Sequence, residues 1–160
     1  MIRPATTADA PAICTIYNYY VKHTAISFEE TGVCADEMAR RIAGVVDHWP
    51  WLIFEYDGGI AGYAYANKWL PRAAYRNTVE STVYVAHAHA RAGIGSSLYQ
   101  ALIPMLRERG AHAVIASISL PNPASVAIHE RCGFEKVAHF REVGRKFDQW
   151  IDVGHWELLL

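Results

Sequence analysis

The order in which strand-like and helix-like patterns follow one another constrains the fold of this chain more than any other sequence feature. Helix-like segments cover 7–22, 35–46, 93–109 and 123–131. Strand-like runs lie at 2–5, on both sides of Asp57-Gly58-Gly59, at 78–86, at 112–119, and in a closing hairpin made by 134–144 and 149–160. This order predicts an α+β sandwich with a mixed central sheet and flanking helices.

The composition favours a single domain over 1–160, because 52% of the residues are hydrophobic and only 19% are charged. The net charge of −1 gives no basic excess, which argues against a nucleic-acid partner. No run approaches the ~20 apolar residues that span a bilayer, and the N-terminal segment lacks the apolar core of a signal peptide. Three isolated cysteines form no disulfide framework, so we expect a cytoplasmic protein without a membrane partner.

Residues 89–99, HARAGIGSSLY, place two glycines between a strand-like run and a helix-like run. The first N–H groups of a helix lack internal partners, and glycine lets a ligand approach them closely, so this turn favours an anion such as a diphosphate. A P-loop would need a lysine after the second glycine, and a Rossmann turn would need glycine in place of Leu98. Neither pattern is present, and a simple tight turn between strand and helix stays open.

From this turn onward the chain resembles the GCN5-related N-acetyltransferases (GNAT), whose pyrophosphate loop is Gln/Arg-x-x-Gly-x-Gly/Ala. Here the loop reads Ala90-Arg91-Ala92-Gly93-Ile94-Gly95. The chain is similar above all to the phosphinothricin and methionine sulfone acetyltransferases, through TVESTVYV before the loop, LPNPASVAIHE after it and GRKFDQWIDVGHWEL near the end. Ala90 departs from the family's Gln or Arg, so we expect weaker acetyl-CoA binding, with Arg91 supplying a nearby positive charge.

The resemblance implies the GNAT acyl-CoA N-acyltransferase fold and acetyl-CoA as co-substrate. In many superfamily members two parallel strands diverge beside the cofactor, which the resemblance places near Val85, and the pantetheine pairs with the exposed edge. Backbone N–H groups near Val85 would then be the oxyanion donors. The implied cofactor contacts here are Val83, Tyr84, Val85, Arg91, Ala92, Gly93, Ile94, Gly95, Ser96, Asn122 and Ser125. For Asn122, a helix cap is an almost equally good interpretation and does not exclude the cofactor contact.

Glu80 is the candidate general base for acetyl transfer to an amine. Strand alternation places Glu80, Thr82 and Tyr84 on one face, and a solvated surface glutamate is the alternative. The resemblance favours the base, since related enzymes deprotonate the amine with a glutamate in this segment. His129 occupies the place where many superfamily members have a tyrosine acid, so it is a candidate acid or only a contact residue.

The resemblance also suggests the acceptor: a small amino-acid-like amine of the phosphinothricin, methionine sulfone or methionine sulfoximine type. Candidate acceptor contacts are Phe28, Glu29, Arg72, Tyr75, Arg76, His139 and Lys146, and surface solvation is the alternative for each charge taken alone. A protein or peptide acetyltransferase and a non-catalytic acyl-CoA sensor are the competing functions. The apolar closing segment WIDVGHWELLL favours a homodimer.

His87-Ala88-His89 has the spacing of a metal-binding pair. No Cys, Asp or Glu lies nearby at matching spacing, and a structural metal site needs about four ligands. We therefore expect no metal.

Overall fold

The computed structural model describes all residues from Met1 to Leu160. The strands are β1 (Ile2–Pro4), β2 (Trp51–Tyr56), β3 (Gly59–Lys68), β4 (Thr78–Val85), β5 (Ala113–Leu120), β6 (Glu135–Lys146) and β7 (Gln149–Leu159). The helices are α1 (Ala10–His23), α2 (Ala35–Val46), α3 (Ile94–Glu108) and α4 (Pro123–Arg131), with short 3-10 turns at Thr7–Asp9, Ala73–Tyr75 and His87–His89. The predicted order of elements is confirmed.

All seven strands form one sheet in the order β1-β2-β3-β4-β5-β7-β6. Only the β4–β5 pair is parallel, and every other neighbouring pair is antiparallel. The sheet is therefore mixed, as the sequence predicts. The parallel pair is joined through α3, which is the crossover that parallel strands require.

Each face of the sheet carries its own hydrophobic core. On one face α3 packs through Leu98 and Leu102 against Val79 and Val114. On the other face α1 and α2 supply buried apolar residues, including Ile13 and Ile42, that pack against β2 and β3. Strand alternation divides the side chains of β4 between these two cores, and this sets the surroundings of each candidate site residue.

The parallel strands β4 and β5 pair only over their first three residues. The register runs from Thr78 opposite Ala113 to Glu80 opposite Ile115, although β4 continues to Val85 and β5 to Leu120. Beyond Glu80 the two strands diverge and leave a cleft between them. The divergence starts at Glu80, earlier than the position near Val85 that the resemblance suggested.

The boundaries of α2 and α4 agree with the sequence prediction, and two helix starts differ from it. Helix α1 begins at Ala10, because residues 7–9 form a short 3-10 turn before it. The backbone N–H of Thr6 donates to the Asp9 carboxylate at 2.7 Å and so caps this turn. Arg3 donates two hydrogen bonds to the same carboxylate, at 2.8 and 2.9 Å, and holds its pKa low, near 2. Helix α3 begins at Ile94 because Gly93 is left-handed, with φ of 78°.

No helix in the structure combines the length and the apolar character that crossing a membrane would require.

Candidate active site

The cleft between the diverging strands has a volume of about 90 Å³ and is lined by three elements and one loop. Its residues come from β4, from β5, from the first turns of α4 and from the loop after α1. They are Ile26, Glu80, Ser81, Thr82, Val83, Tyr84, Ser117, Ile118, Ser119, Asn122, Ser125 and His129. Six of the predicted site residues therefore line one cleft: Glu80, Val83, Tyr84, Asn122, Ser125 and His129. Val85 follows on the same strand.

The edge of β4 that faces the cleft has unused backbone donors. The N–H of Ala86 donates to Ala61 of β3 at 2.8 Å, and N–H groups of successive strand residues point to opposite sides. The N–H groups of Val83 and Val85 therefore point toward β5, where strand pairing has ended. The carbonyl of Val85 is already occupied, because it accepts a hydrogen bond from the Tyr20 hydroxyl at 2.6 Å.

The glycine turn between β4 and α3 forms an anion-binding nest at one end of this cleft. Arg91 and Gly93 both have positive φ, 66° and 78°, so successive N–H groups converge. The first intrahelical bond of α3 is from Ser97 N–H to the Gly93 carbonyl at 3.0 Å. The N–H groups of the four residues before Ser97, from Gly93 to Ser96, make no hydrogen bond within the protein.

Gly95 also fits the turn for a steric reason. A Cβ at this position would lie 3.1 Å from the side chain of Ile128 and 3.7 Å from those of Val83 and Val85. The missing side chain lets the start of α3 lie close to both α4 and β4. The nest is thereby brought against the cleft.

Asn122 caps α4, because its side-chain oxygen accepts the N–H of Ser125 at 3.2 Å. The cap interpretation is confirmed. Asn122 also lines the cleft, so the cap does not remove it from contact with a ligand there.

Glu80 lies at the point where β4 and β5 diverge, and its side chain is half-buried. Its carboxylate accepts a hydrogen bond from the Ser117 hydroxyl of β5 at 2.5 Å. Sequence analysis missed Ser117. The polar residues that interrupt the apolar strand β5 indicated a second polar position here, but the pairing with Glu80 depends on the register of two distant strands.

His129 is almost completely buried, and both of its ring nitrogens have protein partners. Nε2 lies 2.7 Å from the Tyr99 hydroxyl, and Nδ1 lies 2.7 Å from the Ser125 carbonyl oxygen. Burial lowers the pKa of His129, so the imidazole is neutral near pH 7. The Tyr99 contact was not predicted, since it joins α3 to α4 through the interior.

The loop after α1 borders the cleft through Ile26 and also carries Phe28 and Glu29, neither of which borders it in one chain. One carboxylate oxygen of Glu29 accepts a hydrogen bond from Arg41 at 2.8 Å, whereas the other is buried and has no partner. The ring of Phe28 packs onto Gly144 of β6, in space that a Cβ at that position would occupy. Glu29 therefore has a free, desolvated acceptor that a cationic group could use.

Lys146 has contacts different from those expected of a surface cation. It is 3% exposed, and its ammonium donates to the carbonyls of Val21 at 2.7 Å and Ser27 at 2.6 Å. Burial lowers its pKa. These bonds fasten the loop after α1 to the end of β6, so Lys146 supports the wall that carries Phe28 and Glu29.

The other candidate acceptor residues lie outside the cleft of a single chain. Arg72 is exposed, and Tyr75 packs edge-on against Trp69 with ring centres 5.2 Å apart. Arg76 borders a separate shallow depression shared with His48, Trp49 and Arg109.

His139 lies on β6, where its Nε2 is 2.7 Å from the Asp152 carboxylate. This hydrogen bond lowers the pKa of Asp152. Neither side chain borders the cleft of the same chain.

The two histidines of the suspected metal pair have aromatic neighbours instead of a shared ligand set. The ring of His87 stacks on Tyr19 at 4.6 Å, and that of His89 lies edge-on to Tyr56 at 5.3 Å. No group of three or more His, Cys, Asp or Glu side chains in the structure could hold a metal ion.

A mixed sheet whose two parallel strands diverge at a carboxylate, beside an anion-binding nest, defines the class of protein: an acetyltransferase of the type that the sequence resembles. The chain belongs to the GNAT family, because the acetyltransferase (GNAT) domain model matches residues 2–155. The predicted family, fold and enzyme class are thereby confirmed.

Two curated relatives and one solved structure illustrate the similarity. The chain is 42% identical to a phosphinothricin N-acetyltransferase of Streptomyces viridochromogenes, covering 98% of this chain and 85% of the relative. It is 37% identical to an L-methionine sulfoximine/L-methionine sulfone acetyltransferase of Salmonella typhimurium, covering 99% and 94%. A Salmonella typhimurium acetyltransferase solved with its cofactor acetyl-CoA superposes with a TM-score of 0.97 at 36% identity, covering 100% of this chain and 93% of that one.

Proposed function

We propose that this enzyme transfers the acetyl group of acetyl-CoA to the α-amine of a small amino-acid-like acceptor of the phosphinothricin, methionine sulfone or methionine sulfoximine type. The names of the curated relatives support this acceptor class. The observation that carries the proposal is the position of Glu80. Its carboxylate lies where β4 leaves β5, on the strand that runs directly into the nest.

The residues at the nest and the cleft fit acetyl-CoA. The free N–H groups of the nest, those of Arg91, Gly93, Ile94, Gly95 and Ser96, suit a diphosphate. The free N–H group of Val85, the nearer of the two to the nest, suits an amide carbonyl of an extended pantetheine, which would add to β4 as a short strand. Asn122 and Ser125 lie on the opposite wall of the cleft. Acetyl-CoA supplies an activated thioester, and its acyl end would lie toward Glu80.

Glu80 acts in this proposal as general base in a direct attack on the thioester. Its carboxylate accepts a proton from the acceptor's ammonium, directly or through a water molecule, and frees the lone pair on nitrogen. The hydroxyl of Ser117 holds the carboxylate toward the cleft. The backbone N–H group of Val83, the nearer of the two to Glu80 along β4, is the available donor for the negative charge that develops on the thioester oxygen.

The acceptor would lie on the α1 side of the cleft, under the loop that carries Phe28 and Glu29. The unpartnered oxygen of Glu29 suits the acceptor's ammonium, since a buried carboxylate oxygen without a donor is costly. Arg72, Tyr75, Arg76 and His139 could reach the acceptor only if a second subunit brings them to the cleft, because in one chain they lie outside it.

We propose a homodimer for a second reason. Five large apolar side chains of the β6–β7 hairpin are 47–62% exposed in the single chain: Val137, Phe140, Val143, Phe147 and Trp150. Such a patch is typical of a surface that meets a partner. A cytoplasmic location agrees with three free cysteines, of which Cys34 is exposed.

The dimer is tested by its mass in solution. At micromolar concentration the enzyme should sediment at twice the mass of one chain, and Trp150→Glu should shift it toward the monomer because it places a charge in the apolar patch. Glu135→Gln, an exposed change elsewhere on β6, is the matched control. Sedimentation of the wild-type enzyme as a monomer would contradict the dimer.

The acceptor is tested by the release of CoA thiol from acetyl-CoA in the presence of single candidate amines. We expect turnover with phosphinothricin, methionine sulfone and methionine sulfoximine, and little with methionine itself or with short peptides. Mass spectrometry of the product should place the acetyl group on the α-nitrogen. Efficient acetylation of peptides would favour the peptide acetyltransferase, and acetyl-CoA binding without turnover on any amine would favour the sensor.

A further inference from the structure

A buried chain of hydrogen bonds crosses the side of the cleft opposite the acceptor. Ser81 Oγ of β4 lies 3.0 Å from Tyr99 Oη of α3, and Tyr99 Oη lies 2.7 Å from Nε2 of His129 in α4. His129 Nδ1 then lies 2.7 Å from the Ser125 carbonyl oxygen. Ser81, Tyr99 and His129 are each at most 5% exposed. The three bonds therefore link β4 and α4, which both line the cleft, through Tyr99 of α3.

The Ser125 carbonyl determines which atom donates in each of these hydrogen bonds. A carbonyl oxygen can only accept, so His129 Nδ1 carries the hydrogen that faces Ser125. The imidazole is neutral because burial lowers its pKa, so Nε2 carries a lone pair and Tyr99 donates to it. Burial raises the pKa of Tyr99, which keeps its proton, and its oxygen then accepts from Ser81.

This arrangement leaves His129 without a proton for a departing thiolate. Its Nδ1 hydrogen is directed at the Ser125 carbonyl, and its Nε2 is occupied as an acceptor. Tyr99 cannot replace it, because its own hydrogen is directed at Nε2 and its ring packs in the interior against His129 and Phe134. The polar groups of Ser81, Tyr99 and His129 therefore use their hydrogen bonds within the protein, and none is left to protonate a thiolate.

We propose that Tyr99 and His129 are positioning residues, and that neither acts as a general acid. With Ser81 they fix the separation between the open edge of β4 and the first turn of α4, and so the width of the cleft that receives acetyl-CoA. The inference rests on the proposed use of this cleft by acetyl-CoA. It assigns the thiolate's proton to solvent, since a CoA thiolate is a good enough leaving group to depart without an acid.

The first test is His129→Gln beside His129→Ala. Glutamine can accept from Tyr99 but cannot supply a titrating proton, so kcat should fall less than about tenfold, whereas loss of a general acid costs 10²–10⁴. Alanine leaves Tyr99 without an acceptor and should raise the KM for acetyl-CoA by about tenfold. Partial rescue of KM by glutamine over alanine is the expected signature of positioning.

The second test is Tyr99→Phe, which removes one hydroxyl and keeps the ring. It should raise the KM for acetyl-CoA by about tenfold with a small change in kcat, because Ser81 and His129 both lose their partner. Tyr63→Phe is the matched control, since Tyr63 is equally buried, is packed in the other core and takes no part in the chain. That control should leave both constants near their wild-type values.

Two outcomes would overturn the inference. A fall in kcat of a hundredfold or more in His129→Gln would restore the histidine as an acid, and an unchanged KM in Tyr99→Phe would remove the positioning role. Thermal melting shows whether each variant is folded. If Tyr99→Phe does not fold, the comparison of His129→Gln with His129→Ala tests the positioning role instead. Calorimetry of wild-type enzyme with acetyl-CoA distinguishes failure of the proposed function from failure of this inference. If the wild type does not bind acetyl-CoA, the proposed function is wrong. If only the variants differ from expectation, only the positioning role of the buried hydrogen bonds is affected.

Discussion

Replacing Glu80 with glutamine is expected to lower kcat by 10²–10⁴, the range that removal of a general base costs, while acetyl-CoA affinity stays nearly unchanged. Glutamine has the shape of glutamate, and its amide oxygen can still accept the hydrogen bond from Ser117. It cannot take a proton from an ammonium. The cofactor contacts depend on backbone groups of β4 and of the nest, which the substitution does not touch.

Three measurements check this expectation. Steady-state kinetics should show the loss in kcat, calorimetry should give an acetyl-CoA dissociation constant close to that of the wild type, and melting should show an intact fold. Glu108→Gln at the end of α3 is the control, because it makes the same chemical change away from the cleft. A Glu80→Gln enzyme with wild-type kcat would exclude Glu80 as the base and direct attention to Glu29, which has a buried carboxylate oxygen without a partner.

The element order and the sheet type follow from the sequence because they depend on local periodicity. The hairpin at Asp57-Gly58 has positive φ at both residues, 49° and 76°, as the sequence pattern predicts. Residues 35–46 and 123–131 are helices with the predicted ends. The nest was predictable for the same reason: two glycines between a strand and a helix specify the conformation of a short, contiguous segment.

The supporting contacts of the site could not be predicted from local periodicity, because they join residues that are far apart in sequence. Ser117 reaches Glu80 across 37 positions, and Lys146 reaches Val21 across 125. Such pairs depend on strand register and on how loops pack. Lys146, which the sequence made a candidate acceptor contact with surface solvation as the alternative, is instead buried and bonded to two backbone carbonyls. The sequence pattern alone does not distinguish these roles.

Gly93→Val is expected to raise the dissociation constant for acetyl-CoA on the order of a hundredfold. Gly93 has φ of 78°, a conformation that a β-branched residue strongly disfavours. Valine would turn the backbone toward negative φ and rotate the N–H groups of Gly93 and Ile94 away from the diphosphate. Hydrogen bonds to a charged group contribute about 1.5–3 kcal/mol each, so losing one or two of them accounts for the expected change.

Gly58→Val separates the loss of the nest from backbone strain, because the two glycines have almost the same conformation. Gly58 has φ of 76°, and a Cβ at either position meets no atom within 4 Å, so steric overlap adds nothing at either site. Both variants should lose similar thermal stability, since both place valine at positive φ. Calorimetry should then show weakened acetyl-CoA binding only in Gly93→Val. If the two variants bind acetyl-CoA with equal affinity, the amides of the nest do not hold the diphosphate. The assignment of acetyl-CoA to this cleft would then be wrong.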